Sequence, residues 1–286
     1  MANLKEIRNR IASVSSTMQI TSAMKMVSAA KLKKAQDAIT AMRPYANKLT
    51  ELLQNLSGSL DADAGSSYAQ ERPVNKVLIV SITSNRGLCG AFNSNIIKEC
   101  ISLKANSFNA QEVHFMTIGK KGADLLKKKN KVVADHSKVY DDLTFDNIAQ
   151  IAEQLMSFYV DGSYDKIVLV YNKFKNAATQ ILMTEQFLPI VAEKSESGNA
   201  VDYIFEPEKE KIVMELIPKS LKTQLYKAVR DSFASEHGAR MTAMHKATDN
   251  ASELRDQLKL TYNKARQAAI TNEILEIVGG AEALNN

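Results

Sequence analysis

Apolar residues at the start of the chain recur at alternating steps of three and four: Leu4, Ile7, Ile11, Val14 and Met18. That alternation is the heptad of a coiled coil. The same register passes through Thr21, Lys25 and Ser28, then regains apolar residues at Leu32, Ala35, Ile39, Met42, Ala46, Leu49, Leu53 and Leu56. One helix over residues 1–58 is therefore expected, polar at three successive seam positions without slipping register. Met24 and Val27 put apolar surface on a neighbouring face. Pro44 lacks a backbone donor and is expected to kink the helix just before it. Ser57-Gly58-Ser59 closes the run, and residues 59–75 read as a polar linker.

From residue 76 the period changes. Lys76 to Ile82 is a short apolar run rich in β-branched residues, the mark of a buried strand. Residues 91–105 read as a helix, Glu112–Ile118 as a second strand, and a short helix follows Gly119. A longer helix near 145–160 precedes a third strand at Lys166–Tyr171. Strands alternating with helices predict a parallel, Rossmann-like α/β domain over 76–207. Ala178–Phe187 and Val201–Phe205 read as additional edge strands.

Residues 208–286 return to helix, with Pro218 expected to break off a short leading segment. The heptad reads Met244, Ala247, Ala251, Leu254, Leu258, Thr261, Ala265, Ala268 and Leu275, with Asn272 in register. At about 1.5 Å per residue the two terminal helices would reach roughly 80–100 Å. Neither is stable alone in water. Because a compact domain joins them, they are expected to pair antiparallel, so the fold class is α/β plus all-α: a coiled coil with an inserted Rossmann-like domain.

Charge sharpens this reading. Residues 1–58 hold nine Lys/Arg against three Asp/Glu, whereas residues 59–208 hold sixteen against nineteen. The N-terminal helix therefore carries the positive excess. Lys31, Lys33 and Lys34 suit either an acidic protein partner or a solvated helix face. Aromatic residues interleaved for base stacking are missing, which argues against nucleic acid. Lys127–Lys129 end a short helix, where cations suit the dipole.

Cys89 and Cys100 are too few for a disulfide framework and match no zinc spacing. The N-terminus lacks the pattern of a signal peptide, and no stretch reaches eighteen uninterrupted apolar residues. Membrane association is therefore expected only through partners. His114, His136, His237 and His245 form no ligand cluster, and no catalytic set stands out. Thr83–Asn93 follows a strand and opens a helix, where a nucleotide-binding fold would hold phosphate. It has neither G-x-G-x-x-G nor the Gly-Lys-Ser/Thr of a P-loop, so a tight strand-to-helix turn is the preferred reading. No cofactor and no metal is expected. At the far end, Ile270, Ile274, Ile277, Val278, Ala281, Ala283 and Leu284 make the tip apolar on more than one face. A free terminus should be polar; an apolar one wants a sleeve of other protein.

Four stretches in order resemble the gamma-subunit family of F-type ATP synthases. They are Met24-Lys25-Met26-Val27-Ser28-Ala29-Ala30-Lys31-Leu32, Gly87-Leu88-Cys89-Gly90-Ala91-Phe92-Asn93, the run from Ser235 to Ala251, and Ile270-Thr271-Asn272-Glu273-Ile274-Leu275-Glu276 with Gly280-Ala281. The resemblance covers essentially the whole chain. It implies a non-catalytic rotor shaft within a ring of alpha and beta subunits, coupling proton flow to ATP synthesis or hydrolysis. It also implies contacts with the epsilon subunit and the membrane ring of c subunits, at the cytoplasmic face of a bacterial inner membrane. Met24, Arg240, Arg266, Gln267, Thr271 and Glu273 match positions that meet the beta subunit, and Ile274, Ile277, Val278, Ala281 and Leu284 would form an apolar bearing. Asn85 stands where the family usually has Asp, and Gly238 where Ala is typical. Two other readings remain: a basic coiled-coil scaffold, and a small-molecule-binding α/β protein with helical arms.

Overall fold

The computed structural model describes residues 4–57, 68, 72–190 and 209–284. Most of the expected linker and the strand expected at 201–205 lie outside the described residues. The elements are α1 (Leu4–Ser57), β1 (Lys76–Ile82), α2 (Phe92–Ser102), β2 (Glu112–Ile118), α3 (Lys120–Leu126), β3 (Val132–Asp135), α4 (Phe145–Val160), β4 (Lys166–Phe174), β5 (Gln180–Leu188) and α5 (Lys209–Leu284). The chain divides into two compact units, residues 1–28 with 241–286, and residues 29–240.

In the unit spanning residues 29–240 the strand order is β3-β2-β1-β4-β5, parallel except for the β4–β5 hairpin. β1, β2 and β4 are buried on both faces, which is why they read as continuous apolar runs. One face of the sheet packs Leu78, Val80, Ile82, Met116 and Ile118 against α4 and residues 217–229 of α5. The other packs Val77, Ile79, Phe115, Val168 and Val170 against α2 and Leu126 of α3. α4 begins where the Thr144 hydroxyl accepts a bond from the Asn147 amide as an N-cap. β3 was not foreseen: four residues with alternating exposure leave too short a pattern to read.

α5 continues through Pro218, so the expected break does not occur. The flanking Ile217 and Leu221 are buried in the sheet core, and that packing holds the turn in helical form. α1 likewise runs through Pro44.

In the unit formed by residues 1–28 and 241–286, residue numbers on α1 rise as those on α5 fall. Arg8 donates to the Tyr262 hydroxyl at 2.8 Å, Arg255 lies 3.6 Å from the Met18 sulfur, Thr21 and Thr248 hydroxyls meet at 2.8 Å, and Lys25 lies 3.4 Å from His245 Nδ1. The helices are antiparallel. Every described seam position expected on α1, from Leu4 to Leu49, is buried or half-buried. The register holds through its polar stretch because Thr21 and Lys25 find polar partners across the seam. On α5 the seam is corrected: Leu254 and Thr261 are exposed, while Thr248, Arg255 and Tyr262 are half-buried alongside Ala251, Leu258 and Ala265. Amphipathic side chains hold those seam places, with apolar stems inward and polar tips bonded across.

Candidate functional site

The sheet order reverses at β1 and β4, and in open α/β sheets a ligand sits outside the carboxyl ends of the strands at that point. Here the place is filled by α5. Ser232 donates to the Ile82 carbonyl at 3.2 Å and Ser235 to the Asn172 carbonyl at 2.9 Å. Asn172 in turn donates to the Phe92 carbonyl at 3.2 Å. A Cβ on Gly238 would lie 3.2 Å from the Ala177 backbone, so the missing side chain lets the helix come down onto the β4–β5 loop. The cost expected for an exposed glycine in this helix is thus traded for close approach. The place where such a sheet would hold a small molecule is thus taken by the chain's own helix.

The turn after β1 is braced from within. The Asn93 side chain accepts from the Ser84 amide at 2.9 Å and donates to the Cys89 sulfur at 3.2 Å, while the Ser84 hydroxyl donates to the Arg86 carbonyl at 2.7 Å. Leu88 and Gly90 take positive φ of 61° and 60°. Gly119, at φ 117°, faces the same turn; a Cβ there would lie 2.1 Å from the Thr83 carbonyl oxygen, so only glycine fits. Asn85 uses both ends of its amide, donating to the Ser137 carbonyl at 2.8 Å and accepting from the Lys120 amide at 2.9 Å. A carboxylate could make only the second bond, which accounts for Asn in place of Asp.

Below the turn lies a buried ion pair. Arg240 and Glu236, one helical turn apart, meet at 2.7 Å with side chains 8% and 9% exposed. The Arg240 guanidinium also donates to the Gly87 carbonyl at 3.2 Å and the Arg86 carbonyl at 3.1 Å. Burial pushes the Glu236 carboxyl up, against the pull of Arg240 and, more weakly, of Lys31 and Arg86. Burial also lowers the neighbouring His237 to about 4, with Arg240 and Lys31 adding to the fall. Its Nε2 is buried without a partner, and its ring packs edge-on against Phe233 with centroids 4.5 Å apart.

The other residues carried over from the resemblance have a different setting. Met24 is half-buried, with Ile20, Met26 and Val27 exposed near it on α1. Lys33 pairs with Asp37 at 3.2 Å, while Lys31 and Lys34 are exposed. Arg266, Gln267, Thr271 and Glu273 are all exposed, and Thr271 is bonded to the Gln267 carbonyl at 3.0 Å. Ile270, Ile274, Leu275, Ile277 and Val278 are between 48% and 68% exposed. Ala281 is exposed too, and the Leu284 side chain lies outside the described residues. Arg240 departs from this pattern, because it is 6% exposed and its donors are engaged by its own chain. Glu236, Ser232, Ser235 and Asn172 were not singled out from sequence. Ser232 and Ser235, three apart on one helix, stand among charged residues, so the sequence offers little signal for them.

The chain's own helix closes the crevice of the sheet, and that helix ends in turns whose apolar residues are exposed. A family model described as ATP synthase matches residues 3–284. The ATP synthase gamma chain of Flavobacterium johnsoniae is 72% identical over the full length of both chains, and that of Christiangramia forsetii is 67% identical, also over all of both. A chain from the central stalk and c-ring structure of the Tetrahymena thermophila mitochondrial ATP synthase is 27% identical, with a TM-score of 0.60 over 80% of this chain and 99% of that one. A chain from the Euglena gracilis mitochondrial enzyme, in rotational state 3, shares the fold with a TM-score of 0.70 at 20% identity, over 98% and 94% of the two chains. The chain belongs to the ATP synthase gamma chain family.

Proposed function

We propose that the chain is the central rotor shaft of an F-type ATP synthase, coupling ion flow through a membrane ring to ATP synthesis or hydrolysis on beta subunits. It does no chemistry itself. The observation that carries this reading is the end of α5: from Arg266 to Ala281 every residue is exposed, over more than four helical turns. An unpaired apolar helix of that length is not stable in water and calls for a surrounding partner. Alpha and beta subunits supply the sleeve, with Ile274, Ile277, Val278, Ala281 and Leu284 as the apolar bearing. Arg266, Gln267, Thr271 and Glu273, which lie just before the bearing on the same helix, suit directional contacts with beta. Met24, beside the exposed Met26 and Val27, suits a second beta contact on α1. The α/β domain meets the epsilon subunit and the ring of c subunits.

Among the described residues no helix is long and apolar enough to cross a membrane. Attachment through the ring would make the chain a peripheral component at the cytoplasmic face of the inner membrane. The domain boundaries that fit this role are a shaft of 1–58 and 208–286 with the α/β domain of 76–207 between them.

Affinity purification of tagged chain from its native host should bring down alpha, beta and epsilon subunits together. The purified chain alone should show no ATP turnover. Recovery of the chain free of larger subunits, or turnover abolished by changing one of its own residues, would reject the proposal.

A further inference from the structure

The resemblance assigns Arg240 to a contact with another subunit, but the residue's surroundings describe a different job. Its guanidinium is fully enclosed by one chain: Glu236 on one side at 2.7 Å, and the Arg86 and Gly87 carbonyls on the other at 3.1 and 3.2 Å. We propose that Arg240 and Glu236 act together as an internal latch, a pair of positioning residues that fastens the 84–90 turn to α5 and closes the sheet crevice from inside.

Four features support it. The Arg86 carbonyl takes a second bond beside the one from the Ser84 hydroxyl, and the Gly87 carbonyl takes two from Arg240, so a planar, multiply donating cation suits the place between them. A guanidinium placed there needs a counter-charge because it is buried, and Glu236 supplies it one turn earlier on the same helix. Further, Ser232, Ser235 and Gly238 seat the same stretch of α5 against β1, β4 and the β4–β5 loop, so the latch closes on a helix already held in place. Leu88 has positive φ in this turn, a conformation that persists in a non-glycine residue only where its surroundings enforce it.

Cys89 gives a reporter inside this turn. It is 2% exposed, and Cys100, on α2 in the same unit, is fully buried. They are the two cysteines of the chain. Burial raises both thiols, so both react slowly in the closed state. The test is maleimide labelling of the purified full-length chain, followed by peptide mapping, for wild type, Arg240→Ala, Glu236→Gln and Arg240→Lys. Arg240→Ala and Glu236→Gln should each speed labelling of Cys89 about tenfold or more and leave Cys100 unchanged, a tenfold change in opening being the loss of about 1.4 kcal/mol. Arg240→Lys, which keeps the charge but lacks the planar fork that serves both carbonyls and Glu236 together, should fall between. Unchanged Cys89 labelling in Arg240→Ala overturns the latch; so does parallel acceleration at both thiols, which would mean general loosening of the domain.

A second arm rests on the rotor reading and is separable from the first. In assembled complex, Glu236→Gln should lower proton pumping per ATP to a similar degree as Arg240→Ala. A loss confined to Arg240→Ala, with Glu236→Gln normal, would overturn the latch's part in coupling and favour a direct contact. Should labelling support the latch while neither variant affects pumping, its closure of the crevice stands and its part in coupling is rejected.

Discussion

Residues 217–240 and 266–281 belong to the same helix, yet they solve opposite problems. The first stretch places Leu221, Leu225, Ala228 and Val229 in the sheet core at 3% exposure or less, with Ser232 and Ser235 bonded to strand carbonyls beyond them. The second buries nothing, although Ile270, Ile274, Leu275, Ile277 and Val278 are as apolar as the core. Between them, residues 244–265 bury a single stripe against α1. The same backbone is thus a core element, a coiled-coil strand and an unpartnered peg. The difference teaches that the stability of a long helix is local: each stretch is as stable as what covers it. Among the described residues, the contacts of α5 with α1 reach Tyr262, which bonds Arg8, and every residue from Arg266 to Ala281 is exposed.

The largest expected effect tests the covered stretch. Leu225 is fully buried, and Leu225→Ala should cost about 2–5 kcal/mol through lost transfer energy and an unfilled cavity. Urea denaturation of the isolated chain measures it. A loss below about 1 kcal/mol would mean that α5 packs on the sheet loosely enough to collapse around the gap.

Next comes the pH dependence of the same stretch. His237 sits at about 4 in the folded chain and near 6.5 when unfolded. The unfolded state therefore binds the proton more tightly. The stability associated with neutral His237 is full above about 6.5, is lost as pH falls toward 4, and changes no further below that, with an upper bound of about 3 kcal/mol. Arg240 and Lys31, which face the ring, keep its value low, whereas the raised Glu236 carboxyl works in the opposite direction as pH falls. The contribution is isolated by comparison: His237→Asn should flatten the fall in stability between pH 6.5 and 4. An equal slope in both proteins would show that His237 is open to solvent.

A smaller effect is expected at the braced turn. Asn85→Asp keeps the bond from the Lys120 amide and loses the one to the Ser137 carbonyl, for a cost of about 1 kcal/mol. Asn85→Ala loses both and should cost more. If Asp proves equal to Asn in thermal unfolding, the amide's donor end contributes nothing.

The sequence showed most clearly what repeats. The seam of α1 was legible from Leu4 to Leu49 because its spacing never slips, even where Thr21, Lys25 and Ser28 make it polar. β1, β2 and β4 were legible because both of their faces are buried, which leaves the runs mostly apolar although Ser81, His114 and Thr117 fall within them. The seam of α5 was half legible. Ala251, Leu258 and Ala265 stood out, but Arg255 and Tyr262 were passed over for the apolar or small Leu254 and Thr261. Apolarity does not reveal a side chain that buries its stem and bonds through its tip. β3 offered only four residues, and the packing of Ile217 and Leu221 overrode the break expected at Pro218. The Glu236–Arg240 pair was beyond reach for another reason. An i, i+4 acid–base pair on a helix normally marks a solvated face, and only tertiary structure shows that this one lies under a turn about 150 residues away in sequence. The exposed tip was legible because apolar residues at a chain end contradict what solvent would select.

The smallest effect on the chain itself is expected at that tip, and it is the sharpest test of the contrast within α5. Ile277 is 68% exposed, so Ile277→Ala should change the stability of the isolated chain by no more than about 0.5 kcal/mol, against the loss of several expected at Leu225. In the assembled complex the same side chain gains a cover, and its apolar area then contributes at about 25 cal/mol per Å². Truncation from Gly279 removes Ala281, Ala283 and Leu284, and should weaken assembly moderately without stopping rotation, because a bearing needs low friction more than specific bonds. Arg266 and Gln267 sit more than three turns earlier, exposed and polar, where charge-assisted contacts are directional and stronger. Replacing both with Ala should lower ATP synthesis in reconstituted vesicles more than the truncation does, at matched amounts of assembled complex. If the truncation is the more damaging, the tip grips as well as turns, and the division between a slippery end and a gripping collar is wrong.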